Sequence, residues 1–492
     1  MKHRPVASGW RPVARATFTL ALTPALLLAL AACGSLVPPA GQPEAPLRDS
    51  FRTPPTGTPP LVAPTPGDTA RTAHEWDGFF TDERLRQVVG LALADNRSLR
   101  ASVAAVERVR AQYGITQANR WPDVRAGAVI SQQGTEGGGS STSYTLGLNL
   151  SNWELDLFNR LGSLQGAALA RFMAQQETQR GARLSLVAQV ADAWLALAAE
   201  GQRLRLNEAL RDSQRQTLEL TERQHRLGAA SGLQLARAQT AFEAARGEAA
   251  RSAANVQQAR LALELLAGQP LPEALLPKQQ DMVLNPAQTE AATALPDLPP
   301  GLPATVLLQR PDLRAAEQQL QAAAFDVGAA RAARFPRLTL TASAGLRSPE
   351  LDGLFRSGSG FFSLLPSLDL PLFDAGARQA QVEVARATQR EVLANYEAAL
   401  LAAFREVADA LAVRDSLAER LAAQQAQVAA AERSLNLAEQ SYRLGASSQL
   451  ELLDAQRQLA SARQGLVTLR QTEQANRVVL LRALGGRWAT GG

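Results

Sequence analysis

The 492-residue chain contains two copies of one unit, and this duplication constrains its fold more than any other feature. The stretch NRSLRASV at Asn96 matches RPDLRAAE at Arg310, and RLGAASGLQLARAQ at Arg226 matches RLGASSQLELLDAQ at Arg443. Between these ends, WPDVRAGA aligns with FPRLTLTA and LDLFNRLG aligns with LPLFDAGA, in the same order. The offset grows from 310 minus 96, or 214 residues, to 443 minus 226, or 217. Landmarks that keep their order predict two similar structural units.

Each copy has the same predicted order of elements: a helix, a strand hairpin, a very long helix, a tight loop and a returning helix. Copy one, residues 76–269, is expected to hold helices at about 97–121, 159–227 and 232–267 and strands at about 123–133 and 143–152. Copy two, residues 305–486, is expected to hold helices at about 310–334, 375–444 and 449–484 and strands at about 337–347 and 361–372.

The four predicted strands alternate apolar and polar residues, as half-buried strands do. Leu146 and Leu148 share one face of the second strand, and Leu338 and Leu340 share one face of the third. A soluble sandwich fits this pattern, but strands of about 10 residues with aromatic residues near their ends favour an outer-membrane barrel in an exported chain. Four strands cannot close a barrel, so protomers would each contribute four strands to about 8, 12 or 16.

The two longest helices are predicted to be far longer than a globular core is wide. Residues 159–227 lack proline and are rich in Ala, Leu, Arg, Gln and Glu. At 1.5 Å per residue, such a helix reaches roughly 100 Å. Both long helices end at an Arg-Leu-Gly-Ala sequence, where Gly228 and Gly445 are natural C-caps. The abundant alanine suits close contact between neighbouring helices.

The N-terminus has the pattern of a secretory signal peptide over residues 1–32: basic residues, an apolar run and small residues before Cys33. Leu-Ala-Ala-Cys at residues 30–33 resembles a lipobox, which predicts cleavage before Cys33 and lipid attachment to its sulfur. A signal anchor that stays in the inner membrane is the alternative. Since Cys33 is the one cysteine of the chain, no internal disulfide is possible.

Charge argues against nucleic-acid binding. The chain has 51 basic and 46 acidic residues, and removal of 1–32 removes four basic groups, which leaves 47 minus 46, or +1. The basic residues alternate with acidic and amide residues along the helices, as on a solvated face. Residues 33–75 are proline-rich and are predicted to be an acylated N-terminus and extended tether, and 270–304 are predicted to be a proline-rich segment between the copies.

At these residues the chain resembles the TolC-like outer-membrane efflux family, in its lipoprotein branch. The resemblance lies in WELDLFNRLG at Trp153, QRPDLRAAEQQL at Gln309, ARFPRLTLTASAG at Arg334 and YRLGASSQLELLDAQRQLASAR at Tyr442. It implies a mixed, mainly α fold: a homotrimer whose 12-stranded transmembrane β-barrel continues into a periplasmic α-helical barrel of antiparallel coiled-coil helices. A helix near Asp82 to Ala94 would belong to an equatorial belt.

The resemblance also implies partners and cofactors. Such proteins are passive exit ducts that receive substrate from an inner-membrane RND-type transporter through a periplasmic adaptor protein. No metal and no cofactor are expected beyond the N-palmitoyl and S-diacylglycerol lipid on Cys33, which would anchor the chain in outer-membrane lipid. The expected location is the cell outer membrane.

The family's periplasmic gate maps onto the second tip loop. A hydrophobic residue and an acid four positions later form constricting rings, and the matching residues are Leu450 and Asp454, with Glu451 matching a further acid of some members. Three carboxylates near a threefold axis attract cations, and three leucines exclude water. The alternative is that Leu450 and Asp454 only cap and pack the returning helix.

The chain departs from the family pattern in the residues that lock the entrance. Arg237 stands where copy two has Asp454, so acid and base are able to pair at the tip. Some relatives carry an arginine at the position of Ser447 and an acid at that of Gln234, and both residues are neutral here. We therefore expect a lock carried by packing and by a hydrogen bond between Tyr442 and Gln234.

Three rival functions fit parts of the sequence. A duct for type I protein secretion would share the fold, and a lipid-anchored coiled-coil scaffold would lack the alternating strands. An enzyme is disfavoured because the sequence contains no P-loop, Cys/His metal cluster or nucleophile elbow. The sequence does not specify whether the substrate is a drug, a metal, a solvent or a metabolite.

Overall fold

The computed structural model describes residues 36–39, 79–80, 82–277 and 304–486. Copy one contains α1 (Glu83–Asp95), α2 (Arg97–Ala118), β1 (Val124–Gly134), β2 (Ser140–Leu155), α3 (Arg160–Arg226) and α4 (Gly232–Ala267). Copy two contains α5 (Pro311–Ala332), β3 (Arg337–Ser348), β4 (Gly360–Asp369), α6 (Ala377–Arg443) and α7 (Gln449–Ala483). Short 3₁₀ helices lie at Glu273–Leu275 and Ala304–Gln309. The predicted fold class, mainly α with four strands, is confirmed.

Several predictions fall on residues outside the described ranges. These are the signal peptide 1–32, Cys33, most of the tether 33–75 and most of the segment 270–304. Within the predicted tether, Leu36–Pro39 is described, and Leu36 to Pro38 are half-buried. These residues lie against α5, so this part of the segment is docked on the protein and differs from the extended tether that its composition predicts.

The described residues form two compact units. The first contains Arg108–Met173 and Glu317–Asn395, with Leu36–Pro39, and it holds all four strands. The second contains the described parts of Glu44–Glu107, Ala174–Ala316 and Tyr396–Gly492, and it holds both tip loops.

The strands form one antiparallel sheet in the order β1-β2-β3-β4, so the two copies meet where β2 pairs with β3. Leu146 lies opposite Leu346, and Leu148 lies opposite Ala344, which places the apolar residues of both copies on one face. A bulge between Leu150 and Trp153, with Asn152 at φ +50°, shifts the register near the end of β2. The alternation predicted from the sequence is therefore kept across all three pairings.

The apolar face of the sheet is exposed in the protomer. Its side chains include several that are more than half exposed: Ile130, Leu148, Phe362, Leu364 and Leu368. The outer strands, β1 and β4, each pair with one neighbour only within the described chain. An open edge and an exposed apolar face need a further partner in lipid, since backbone groups there have no water to bond.

The second unit has its own hydrophobic core. Asp82 caps α1 by accepting hydrogen bonds from the backbone N–H groups of Arg84 and Leu85, the latter at 3.4 Å. One face of α1 then buries Leu85, Val88, Val89 and Ala92 against α3, α4 and α7. Spacing of three and four residues is what an amphipathic helix needs to cover a core. A helix near Asp82 to Ala94 was expected from the sequence, and α1 occupies that place.

Among the described helices, α3 alone is long and apolar enough, by composition, to cross a membrane. Its apolar stretch includes Val187, Val190, Ala191 and Trp194, all buried in the core of the second unit. The side-chain N–H of Trp194 donates to the carbonyl oxygen of Leu275 at 3.5 Å. Core packing therefore accounts for the apolar composition of α3.

Candidate functional site at the helical tips

The two long helices end in the same backbone motif. Gly228 and Gly445 adopt the left-handed conformation, with φ of +75° and +74°. After α3, the N–H of Ala229 donates to the Gln224 carbonyl at 2.8 Å, and after α6 the N–H of Ala446 donates to the Ser441 carbonyl at 2.8 Å. These bonds, with those from the glycine N–H groups, form Schellman motifs that satisfy the last carbonyls of each helix. A Cβ at either glycine would be strained, because L-residues rarely adopt this conformation.

The returning helices begin with matching capping boxes. Ser231 accepts a bond from the N–H of Gln234 at 3.2 Å, and the Gln234 Oε1 accepts from the Ser231 N–H at 2.7 Å. In copy two, Ser448 and Glu451 make the same pair of bonds at 3.3 and 2.9 Å. Neither serine is among the residues predicted above, although Ser-x-x-Gln and Ser-x-x-Glu before an apolar helix are the signal for this motif.

Glu451 therefore has a structural function in the protomer. Its carboxylate satisfies the N–H of Ser448 at the start of α7, and the same position in copy one is Gln234. An acid in the first turn of a helix is also favoured by the helix dipole. Its predicted membership of the gate stays a prediction.

Leu450 and Asp454 share one exposed face of α7. Four residues separate them, so they are neighbours on the helix surface, and both side chains are about half exposed. The opposite face buries Leu452, Leu453 and Ala455. The face with Leu452, Leu453 and Ala455 packs on the protein. The face with Leu450 and Asp454 is accessible to other copies or to solvent.

Asp454 pairs along its own helix. Its carboxylate accepts a bond from Arg457 Nη2 at 2.6 Å and one from Gln458 Nε2 at 2.7 Å. The expected pair between Asp454 and Arg237 does not form among the described residues. A partner three residues away on the same helix loses less side-chain freedom than one on another helix, and it is reached first.

The expected hydrogen bond between Tyr442 and Gln234 does not form within the described residues of the protomer either. The side-chain oxygen of Gln234 accepts from Ser231 in the capping box instead. Satisfying a helix N-terminal N–H keeps that amide at its own helix, away from Tyr442. Tyr442 nevertheless lies at the tip, where its carbonyl accepts from the N–H of Gly445 at 3.0 Å.

A row of buried polar residues joins α3 to α7 behind the tip, and the sequence analysis missed it. Gln449 donates to Thr221 at 2.9 Å, and Gln214 donates to Gln456 at 2.7 Å. Further along, Gln464 donates to Asn207 at 2.7 Å, and Asn207 donates to Ser252 of α4 at 2.7 Å. The signal was present in the seven-residue spacing of Asn207, Gln214 and Thr221. Buried polar pairs of this kind fix the register of packed helices.

Each tip also exposes two leucines at equivalent positions. Leu227 and Leu444 follow the last residue of each long helix and are 85% and 84% exposed. Leu233 and Leu450, in the first turn of each returning helix, are 61% and 50% exposed. Exposed apolar residues grouped at one place usually belong to an interaction surface.

The described residues contain no group of three or more His, Cys, Asp or Glu side chains placed to hold a metal ion. Cys33, the predicted lipidation site, lies outside the described residues. The tips therefore combine closed turns, exposed leucines and exposed acids, Glu451 and Asp454, features that suit a contact surface or a pore constriction.

Comparison with known proteins agrees with this arrangement. A family model described as outer membrane efflux protein matches residues 88–269 and 302–486, one segment for each copy. The outer membrane protein OprJ of Pseudomonas aeruginosa is 38% identical over 473 residues, which cover 95% of each chain. The cation efflux system protein CusC of Escherichia coli is 36% identical over 463 residues, which cover 94% of this chain and 97% of CusC.

The solved structures give the same result for the fold. A crystal structure of a membrane protein from Pseudomonas aeruginosa has a TM-score of 0.82 at 37% identity and covers 93% of this chain and 99% of its own. The family model and the relatives both extend over most of this sequence. The chain therefore belongs to the outer membrane efflux protein family, and it is an outer-membrane efflux channel.

Proposed function

We propose that the chain is one protomer of a homotrimeric exit duct in a tripartite efflux system. The observation that carries this proposal is the four-stranded sheet with an exposed apolar face and two open edges. Three such sheets, joined β4 to β1, supply 12 strands and leave no edge unpaired in lipid. The apolar face then meets lipid, and the polar face, with Ser143, Thr339 and Thr341, lines the lumen.

The lipid is the second part of the proposal. Cys33 carries an S-diacylglycerol and an N-palmitoyl group after cleavage of residues 1–32. Several acyl chains together anchor a protein stably, where a single chain gives marginal binding. The supporting observation is the Leu-Ala-Ala-Cys sequence after the apolar run.

The gate is the third part. In a trimer, the exposed face of α7 places three copies of Leu450 and Asp454 around the axis at the periplasmic entrance. The leucines exclude water when the entrance is closed, and the carboxylates favour cations when it conducts. The support is that both side chains face away from the core of their own protomer.

The partners are the fourth part. The periplasmic adaptor binds the tips, where Leu227 and Leu444 offer equivalent apolar contacts, and opens the entrance when the complex assembles. An RND-type transporter of the inner membrane supplies the energy, and the duct conducts passively. The name of CusC refers to cations, but the substrate of this chain is set by the pump that feeds it.

Conductance of the purified trimer in planar bilayers tests the gate. We expect Asp454→Ala to reduce the preference for cations, seen as a shift of the reversal potential toward zero under a KCl gradient, and to raise conductance. The matched control is Glu248→Ala on α4, since Glu248 is also an exposed acid paired with an arginine three residues later, Arg251. Equal effects of the two variants, or none for Asp454→Ala, would remove Asp454 from the gate.

A further inference from the structure

Gly328 occupies the interior of α5, where a glycine costs about 0.5–1 kcal/mol relative to alanine. Space explains its presence there. A Cβ at this position would lie 2.6 Å from Val37 Cγ2, 3.1 Å from Val37 Cα and 3.2 Å from Ser163 Oγ. Contacts below about 3 Å are not tolerated in a packed interior. Only glycine leaves room for Val37 beside the helix.

A polar contact fixes the same segment one turn further along α5. Arg331 donates from Nη1 to the carbonyl oxygen of Leu36 at 3.0 Å. Leu36 and Val37 are both half-buried. A hydrogen bond from a charged donor is stronger than one between neutral groups, and it holds the backbone in one register. The N-terminal segment is thus held by an apolar contact at Gly328 and by a directional bond at Arg331.

The duplication shows which part of this site is particular to copy two. Gly114 of α2 is the counterpart of Gly328, and a Cβ there would meet nothing within 4 Å. Gln117 is the counterpart of Arg331. Both copies have the glycine, but only copy two has the arginine, and among the described residues only the copy-two glycine has an occupant. The chain itself therefore provides a matched control for each residue of the site.

We propose that Gly328 and Arg331 form a docking notch for Leu36–Val37, and that this notch fixes the position of the lipid-bearing N-terminus. Leu36 is three residues after Cys33, and three Cα–Cα steps span at most about 11 Å. The acylated residue is thereby held beside the C-terminal end of α5, a few residues before β3 begins at Arg337. The acyl chains enter the leaflet next to the strands of their own protomer. This last step rests on the lipidation and the barrel proposed above.

Cysteine pairing in the full-length protein tests the notch. Val37→Cys removes one γ-methyl and makes room for the new side chain in Gly328→Cys, so the two thiols are close enough to form a disulfide in the oxidising periplasm. Isolated outer membranes are treated with polyethylene-glycol maleimide before and after reduction. We expect the pair to react only after reduction, since the native Cys33 sulfur carries lipid.

The control combines Val37→Cys with Gly114→Cys, and its thiols are expected to react without reduction. Replacing Arg331 by glutamine, the residue of copy one, removes the charged hydrogen bond and is expected to lower the docking equilibrium about tenfold, which lowers the yield of disulfide. Gln117→Arg is expected to leave the yield unchanged.

Equal labelling of the two cysteine pairs before reduction would overturn the notch. The assay measures thiols in the membrane and needs no conductance, so a failed gate experiment leaves the docking result standing. Conversely, if Asp454→Ala changes conductance as expected but the pair Val37→Cys and Gly328→Cys forms no disulfide, the notch is rejected and the proposed gate stands.

Discussion

The two tips of the chain share a backbone and differ in charge. Both use a left-handed glycine and a serine-centred capping box, yet Arg237 in copy one corresponds to Asp454 in copy two. Gln234 likewise corresponds to Glu451. Glu451 takes part in its capping box, as Gln234 does in copy one, but neither Arg237 nor Asp454 contributes to the backbone motifs that close the turns. The charge at positions 237 and 454 was therefore free to diverge after duplication, and Asp454 is available for the proposed gate.

A second pair of equivalent positions shows divergence in the interior. Asn96 and Arg310 stand at the starts of α2 and α5, and both are buried. Asn96 donates to the carbonyl of Leu266 at 2.9 Å, and Arg310 donates to the carbonyl of Ala483 at 2.8 Å. Each thus binds the last turn of the returning helix in its own copy. The equivalent contact between the two helices is made by a neutral amide in copy one and by a guanidinium in copy two.

Substitution of these two residues should lower stability more at the charged contact than at the neutral one. The loss at Arg310 is the largest effect we expect. Arg310 also binds Asp312 and Glu406 at 2.8 and 2.9 Å. Arg310→Met removes a buried guanidinium that donates to the Ala483 carbonyl and to two partly exposed carboxylates, and it should destabilise the protein by about 2–3 kcal/mol. Asn96→Ala removes neutral hydrogen bonds and should cost about 1–2 kcal/mol. Thermal unfolding in detergent, followed by circular dichroism, measures both.

Glu406 keeps Arg482 as a partner at 2.7 Å in the Arg310 variant, which limits the loss. Combining Arg310→Met with Glu406→Gln should therefore cost further stability, because the pair between Glu406 and Arg482 is then lost as well. Equal losses of stability for Arg310→Met and Asn96→Ala would mean that the charge of Arg310 adds no stability to its contact with α7.

A pair of aspartates gives a pH-dependent comparison. Burial raises the pKa of Asp192 in α3 from 3.8 to about 6, against the opposing attraction of Arg482. Its counterpart in α6, Asp409, is exposed and pairs with Arg405. Because the folded-state pKa is raised, the protonated form of Asp192 favours folding below about pH 4, and this contribution is lost as pH rises through 6.

Asp192→Asn should therefore be more stable than the wild type at pH 7 and equal to it near pH 4. Two pKa units correspond to about 3 kcal/mol, and partial solvent contact reduces the expected gain to about 1–2 kcal/mol. Unfolding midpoints of both proteins between pH 4 and 8 provide the measurement. Asp409→Asn is the matched control at the exposed counterpart position. If the difference in unfolding midpoint between the wild type and Asp192→Asn does not change with pH, the raised pKa of Asp192 is contradicted.

The smallest effect should come from the capping boxes, and it should be equal at the two tips. Ser231→Ala and Ser448→Ala each remove one capping bond at about 1 kcal/mol. Hydrogen exchange in the first turns of α4 and α7 reports this local loss directly. Greater exchange in α7 than in α4 would indicate that the tips differ in stability as well as in charge.

The features that local sequence rules govern were predictable. Period-two alternation located the strands, and the Arg-Leu-Gly-Ala sequences located the left-handed glycines at 228 and 445. The confirmed fold class rests on these patterns, because strand alternation and helix caps depend on neighbours a few residues apart.

Side-chain partners were less predictable, for a physical reason. The sequence offers Asp454 three candidate partners: Arg457, Gln458 and Arg237. Residues three and four positions along the same helix are neighbours on its surface, so Asp454 bonds to Arg457 and Gln458. Gln234 also had two candidate partners, Tyr442 and the N–H of Ser231. It accepts from Ser231, because the backbone N–H groups at the start of α4 have no partner within the helix. The contact of Val37 with Gly328 joins residues almost 300 positions apart, and neither residue type indicates the other.

The two open edges of the sheet have a consequence for how the channel is made. A single protomer cannot rest in the bilayer with unpaired backbone groups, so insertion and association have to occur together. In the proposed trimer, three chains must therefore meet at the membrane before any of them is stable there. The lipid proposed for Cys33 would hold each chain at the surface, turn this encounter into a two-dimensional search and raise the local concentration of partners. On this view the anchor acts chiefly during biogenesis, as a means of recruitment, and contributes less once the barrel has closed.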